Sequence, residues 1–142
     1  MAGRNGSAQW RGDLKSGAGT VKVGDGVFEG NYSFKSRFED GAGTNPEQLI
    51  AASHAACFTM ALSNILSSAG HVPESVDTTA NVTLRFIDNA ATLTRIDLVT
   101  EGRVPGIDGD EFQKFAEQAK ANCPISRALA AIPEITLTAT LL

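Results

Sequence analysis

The sequence predicts an α+β fold in which antiparallel strands pack on one long helix. Three observations predict it. Runs of alternating apolar and polar residues, broken by glycine-rich turns, fill residues 7–40. A second alternating stretch, Thr78 to Arg103, folds back on itself at Asp88-Asn89-Ala90. Between them, Asn45 to Ala69 reads as one helix whose single formally charged residue is Glu47. A helix without a charged face is normally buried on most sides.

The elements follow in order. Trp10-Arg11-Gly12-Asp13 and Lys15 to Gly19 punctuate the first run, and Val21-Lys22-Val23 alternates before Gly24-Asp25-Gly26. Tyr32 to Phe38 is expected as a strand, with Tyr32, Phe34 and Phe38 on one face and Arg37 on the other. Together these make a meander of about three strands. After the Gly41–Thr44 loop, Asn45 suits the N-cap, Pro46 the first helical position, and Gln48 a capping box. Gly70 stops the helix and Pro73 lies beyond it. Ala80, Val82, Leu84 and Phe86 share one side of the next strand, and Leu93 to Arg103 returns along it. Asp110 is the expected cap of a helix carrying Phe112, Phe115, Ala116 and Ala119. Cys123-Pro124 begins a shorter helix through Ser126 and Leu129, and Ile135 to Leu141 is a final strand.

The chain of 142 residues is expected to form one domain, 1–142. A domain of that size buries about 68–70% of the surface of its unfolded chain and needs no disulfide staple. Two cysteines are too few for a secreted disulfide scaffold. The opening Met-Ala-Gly-Arg-Asn-Gly lacks the apolar centre of a secretory leader. No run of about 18 apolar residues is expected. A cytoplasmic protein with no membrane span is therefore expected. The net charge of −4 comes without a basic stripe, which argues against nucleic acid as a partner. The weakly charged long helix calls for cover from a second subunit, so a homodimer is expected.

Two thiols stand where they could react. Cys123 precedes a helix start, where unpaired N–H groups favour thiolate, so local electrostatics make it the better nucleophile. Cys57 lies mid-helix, where burial raises a thiol's pKa. It becomes reactive only if a cation reaches it, and Arg37 is the candidate. Glu47 could hold that arginine bidentately. Glu47 and Cys57 are ten residues apart on one helix, about 15 Å. Contact between them would thus need two antiparallel copies of the helix. His54, three residues before Cys57, reads as a core or interface histidine before it reads as a Cys–His catalytic pair. His54, Cys57, His71 and Cys123 supply four nitrogen and sulfur groups, yet only the first two have ligand-like spacing, so neither a metal nor a cofactor is expected.

Several of these stretches carry a resemblance. Arg37-Phe38-Glu39, Gly43-Thr44-Asn45-Pro46-Glu47-Gln48-Leu49-Ile50, Ala55-Ala56-Cys57-Phe58, Val104-Pro105-Gly106 and Asn122-Cys123-Pro124-Ile125-Ser126 resemble the OsmC/Ohr family of peroxide-reducing proteins. The likeness runs from Trp10 to the last strand. Arg37 just before the long helix, together with His54, is similar to the OsmC branch; the Ohr branch carries its arginine nearer the N-terminus. The resemblance implies a hydroperoxide reductase with Cys57 as the attacking thiol and Cys123 as the resolving one, reversing the order that local electrostatics gave. It implies that Arg37 and Glu47 are the charged pair that activates the thiolate. It implies an intertwined homodimer around long central helices, with two sites at the interface, reduced by a lipoyl-type or thioredoxin-like dithiol. A non-catalytic thiol sensor or carrier and a metal-binding dimer stand as the competing readings.

Overall fold

A computed structural model describes all residues, Met1–Leu142, and the chain divides into two compact units, Met1–Leu49 and Ile50–Leu142. The first holds strands β1 (Gly6–Arg11), β2 (Ala18–Val23) and β3 (Phe28–Tyr32) in an antiparallel meander. Trp10 and Tyr32 stack across it with ring centroids 5.3 Å apart. The expected strand over Tyr32–Phe38 ends at Tyr32, and Phe34–Phe38 is a short helix, α1. Two local forces decide this. Ser33 caps α1 reciprocally with Ser36, and Phe34 and Phe38, four residues apart, meet on one helical face at 5.0 Å.

Helix α2 runs from Pro46 to Ser68, 23 residues or about 35 Å. Asn45 caps it through Oδ1, which accepts from the Gln48 backbone N–H at 2.8 Å. The Gln48 side chain accepts from the Thr44 hydroxyl instead of closing a capping box on Asn45. At the other end Gly70 adopts φ 89°, and the N–H groups of Gly70 and His71 reach back to the carbonyls of Ser67 and Leu66. That is a Schellman stop, which a left-handed glycine makes cheap.

By length and composition α2 is long and apolar enough to cross a membrane, which departs from the expectation. Its Ser, Thr, His and Asn residues interrupt the apolar run but bring no charge. Core helices of soluble proteins share this property. Within the single chain, His54, Phe58, Leu62 and Leu66, each four residues on, form the buried stripe. Ala52, Ala56, Met60 and Asn64 form an exposed one.

The second unit carries β4 (Ser75–Ile87) and β5 (Ala90–Arg103), an antiparallel hairpin. Its turn residues Asp88 and Asn89 have φ 48° and 64°, the two-residue turn that matches strand twist. The register shifts at Thr83/Leu84, where Thr94 of β5 is left without a partner on β4, and Phe86 beyond it is exposed. On β5, Ile96, Leu98, Thr100 and Gly102 face inward at period two. Helix α3 (Gly109–Asn122) is capped by Asp108 with Glu111, not by Asp110. Asp108 sits three residues before Glu111 and so completes the reciprocal box. After α4 (Pro124–Ala128), β6 (Glu134–Leu141) joins β5 in parallel, unlike the antiparallel pairing of the other strands. The α3–α4 crossover supplies the length that a parallel connection needs. The core of this unit lies where α2, β5 and α3 meet, around Phe58, Leu62, Leu66, Leu98, Phe112 and Ala116.

Candidate active site

The site residues fall into two groups. In the first unit, α1 and the first turn of α2 present Arg37 and Glu47. The Ser36 hydroxyl donates to the Thr44 carbonyl at 2.7 Å, and Asn45 Nδ2 donates to the Ser36 carbonyl at 2.9 Å. These bonds lock α1 against the start of α2. Arg37 then donates from Nη2 to Glu47 Oε1 at 2.8 Å and from Nε to both carboxylate oxygens at 3.2 and 3.3 Å. The expected bidentate pair is present, with Glu47 nearly buried and Arg37 about a third exposed. Arg37 also lies 5.2 Å from the Phe38 ring centroid, a cation–π contact. The Arg37 sits on α1 and not on a strand, so it is fixed by its own short helix. Beside it opens a cleft of about 430 Å³ walled by Trp10, Leu14, Tyr32, Phe34 and Phe38.

In the second unit the fold brings the two distant cysteines together. Cys57 packs against the cluster that holds Cys123, close enough for the Cys123 thiol and the Ile125 backbone N–H both to act on its sulfur. Both cysteines are free thiols; Cys123 is fully buried and Cys57 partly so. Burial pushes the Cys57 thiol above its ordinary pKa, the Cys123 thiol raises it further, and the Ile125 N–H opposes them. Cys123 stands between α3 and α4, where its side chain makes no capping bond. The backbone N–H that faces a thiol here faces Cys57.

His54 is a core histidine, fully buried, as its core reading requires. Its Nε2 shares a 2.7 Å hydrogen bond with Ser126 Oγ, while Nδ1 has no partner. Burial lowers its pKa, so the ring is neutral near pH 7. An unsatisfied buried ring nitrogen costs about 1–3 kcal/mol, which an aliphatic side chain in the same place would avoid. Ser126 and the Ile125 N–H were not among the sequence candidates. The signal was present in the spacing, because Cys123 and Ser126 are three apart, as are His54 and Cys57. His71 packs near the Phe115 ring, and no group of three or more His, Cys, Asp or Glu side chains could hold a metal ion.

The family model for OsmC-like protein matches residues 39–138. The chain belongs to the OsmC family. This OsmC-family chain is 50% identical over 135 residues to Peroxiredoxin OsmC of Escherichia coli (strain K12), covering 94% of this chain and 93% of that protein. It is 36% identical over 101 residues to an organic hydroperoxide resistance protein of Xanthomonas axonopodis pv. citri, covering 69% of this chain and 68% of that one. Among solved structures, an organic hydroperoxide resistance protein from Elizabethkingia anophelis aligns with a TM-score of 0.71 at 29% identity, over 96% of this chain and 94% of its own. The OsmC-family fold, mixed α and β, is thus shared along nearly the full length.

Proposed function

We propose that this OsmC-family chain is a thiol-dependent hydroperoxide reductase. It detoxifies organic hydroperoxides and hydrogen peroxide in oxidative or osmotic stress defence. It is a cysteine-based peroxidase; its relatives are named a peroxiredoxin and an organic hydroperoxide resistance protein. The observation that carries the reading is the proximity of Cys57 to Cys123, two free thiols far apart in sequence that the fold brings together.

In the proposed cycle the Cys57 thiolate attacks the distal oxygen of the hydroperoxide. The O–O bond breaks, an alcohol leaves after taking up a proton, and Cys57 becomes a sulfenic acid. Cys123 condenses with it, and an external lipoyl-type or thioredoxin-like dithiol restores both thiols. Ionisation alone cannot explain such a rate. A thiol of ordinary pKa, about 8.5, is ~3% thiolate near pH 7, so full ionisation gains about 30-fold or ~2 kcal/mol. Enzymes supply at least about 8 kcal/mol. Cys57, held above the ordinary thiol value, starts further behind. Arg37 is therefore assigned more than a pKa effect: it orients the peroxide and stabilises charge on the departing oxygen. The apolar cleft beside Arg37 supports organic hydroperoxides as substrates.

Glu47 and Cys57 lie on one unbroken helix, ten residues or about 15 Å apart. We assign the Arg37–Glu47 pair that serves a given Cys57 to the other subunit of a homodimer, with residues 1–142 of each chain acting as one soluble, cytoplasmic domain.

The test is peroxide consumption with excess dithiothreitol, cumene hydroperoxide against hydrogen peroxide, and mass spectrometry after one equivalent of peroxide. Wild type turns over and shows the Cys57–Cys123 disulfide. Cys123→Ser stops at Cys57 sulfenic acid, and Cys57→Ser is inert. Arg37→Lys loses at least about a hundredfold, because a point ammonium cannot hold Glu47 bidentately and also face the peroxide. Turnover by Cys57→Ser overturns the assignment of the nucleophile. Stoichiometric oxidation without turnover makes the chain a thiol sensor.

A further inference from the structure

Helix α2 and the Cys123–Ser126 segment meet at two rungs. Cys57 lies beside Cys123, and His54 shares a 2.7 Å hydrogen bond with Ser126. His54 and Cys57 are three residues apart on one face of α2; Cys123 and Ser126 are three apart at the start of α4. The two segments therefore run in opposite directions, like a short zip. The thiol rung is the one that must change during the cycle. The His54–Ser126 rung contains no thiol. It is buried, with Ser126 7% exposed and His54 fully enclosed.

We propose that the His54–Ser126 hydrogen bond is a positioning clasp that holds Cys123 against Cys57 while Cys57 passes through its sulfenic acid. The proposal rests on the peroxidase reading above and deepens its second step. In that step the Cys123 sulfur attacks the Cys57 sulfenic sulfur. An S–S bond forms, the S–O bond breaks, and the hydroxyl departs as water with the proton that Cys123 gives up. No further oxidant is needed. Forming the sulfenic acid consumes the Cys57 thiol and changes its contact with Cys123. Any drift of the Cys123–Ser126 segment at that moment would lengthen the path to closure. The clasp keeps the separation short, so that closure outruns attack by a second peroxide, which would give the sulfinic acid. In this role His54 acts through Ser126.

Two further facts favour this role over space-filling. Nε2 makes the one hydrogen bond of the ring, and Nδ1 is left without a partner, so the bond to Ser126 is what a histidine adds here over an apolar side chain. Ser126 in turn sits three residues after Cys123, so the position of its hydroxyl is transmitted to Cys123 through a single turn of chain.

Reduced protein is mixed with cumene hydroperoxide without reductant, quenched with N-ethylmaleimide and dimedone at set times, and read by mass spectrometry. Ser126→Ala should oxidise Cys57 at the wild-type rate but close the disulfide about tenfold or more slowly, as expected for a lost positioning contact. Cys57 sulfenic acid should then accumulate and pass to sulfinic acid at lower peroxide. Ser126→Thr keeps the hydroxyl and should restore closure. His54→Gln places its amide where Nε2 stood and should also close, whereas His54→Asn is too short and should behave like Ser126→Ala. Closure at the wild-type rate in both Ser126→Ala and His54→Asn overturns the clasp. So does parallel slowing of both steps with no rescue by Ser126→Thr or His54→Gln, which marks a general structural role. A wild type that forms sulfenic acid but no disulfide, or neither, sinks the peroxidase cycle itself and the clasp with it.

Discussion

The Cys57 thiol is kept protonated by its own surroundings: by burial first, then by the Cys123 thiol, with only the Ile125 N–H working the other way. The sign of the consequence is fixed. A thiol whose pKa is raised becomes thiolate only as pH climbs past the ordinary thiol range, about 8.5. If the partner's guanidinium serves Cys57, removing it should move the titration upward. Alkylation of Cys57 by iodoacetamide, followed against pH, should therefore have its midpoint lower in the wild type than in Arg37→Ala. Adding Cys123→Ala to Arg37→Ala should bring the midpoint part of the way down again, by removing the second cause of the raised value. Coincident midpoints for wild type and Arg37→Ala would take Arg37 out of thiolate activation.

At the scale of elements, β5 and α3 approach closely at Gly102 and Phe112, in the unit that holds both thiols. A Cβ on Gly102 would lie 2.6 Å from two ring atoms of Phe112, which is itself fully buried. The ring fills the space that glycine leaves. Gly102→Ala should destabilise the fold by about 1–3 kcal/mol through overpacking. In a chain of this size that lowers the thermal midpoint by roughly 2–4 °C per kcal/mol. Phe112→Leu in the same chain should recover part of the loss, and an additive double mutant in calorimetry would show that the two positions do not collide. Because α3 leads into Cys123, the loss should also appear as slower disulfide closure.

At the scale of the whole molecule, the exposed stripe of α2 sets the expectation. Met60 is 74% exposed on a helix whose only formal charge is Glu47 at its start. A soluble protein seldom leaves such a face uncovered. A second copy of the chain covers it in the proposed assembly, which also supplies the Arg37–Glu47 pair. Sedimentation at micromolar concentration should give twice the 14.9 kDa chain mass. Met60→Glu, which buries a charge if the face is shared, should shift the protein toward monomer and cost activity together. A monomeric wild type that retains full turnover would remove the assembly from the mechanism.

The sequence by itself determined whatever is written in short-range chemistry. The Asn45 cap, the Gly70 stop and the Asp88–Asn89 turn are set by residues within a few positions of one another, and each appears where those residues stand. The family was legible too, in spaced motifs around Glu47, Cys57 and Cys123, and the bidentate Arg37–Glu47 pair was read from its chemistry. Where two periods fitted the same residues, the structure chose. Phe34 and Phe38 suit one face of a strand or of a helix, and the Ser33–Ser36 cap tips the balance to α1. Asp108 displaced Asp110 as a cap because only it completes the reciprocal box with Glu111. Contacts between distant segments were beyond local reading altogether. The approach of Cys57 to Cys123, the His54–Ser126 bond and the parallel placement of β6 all depend on how α2, α3 and the sheet pack. Local electrostatics favoured Cys123 because they see only its own helix start. Packing delivers the Ile125 N–H to Cys57, since a hydrogen bond follows distance in space and not order along the chain.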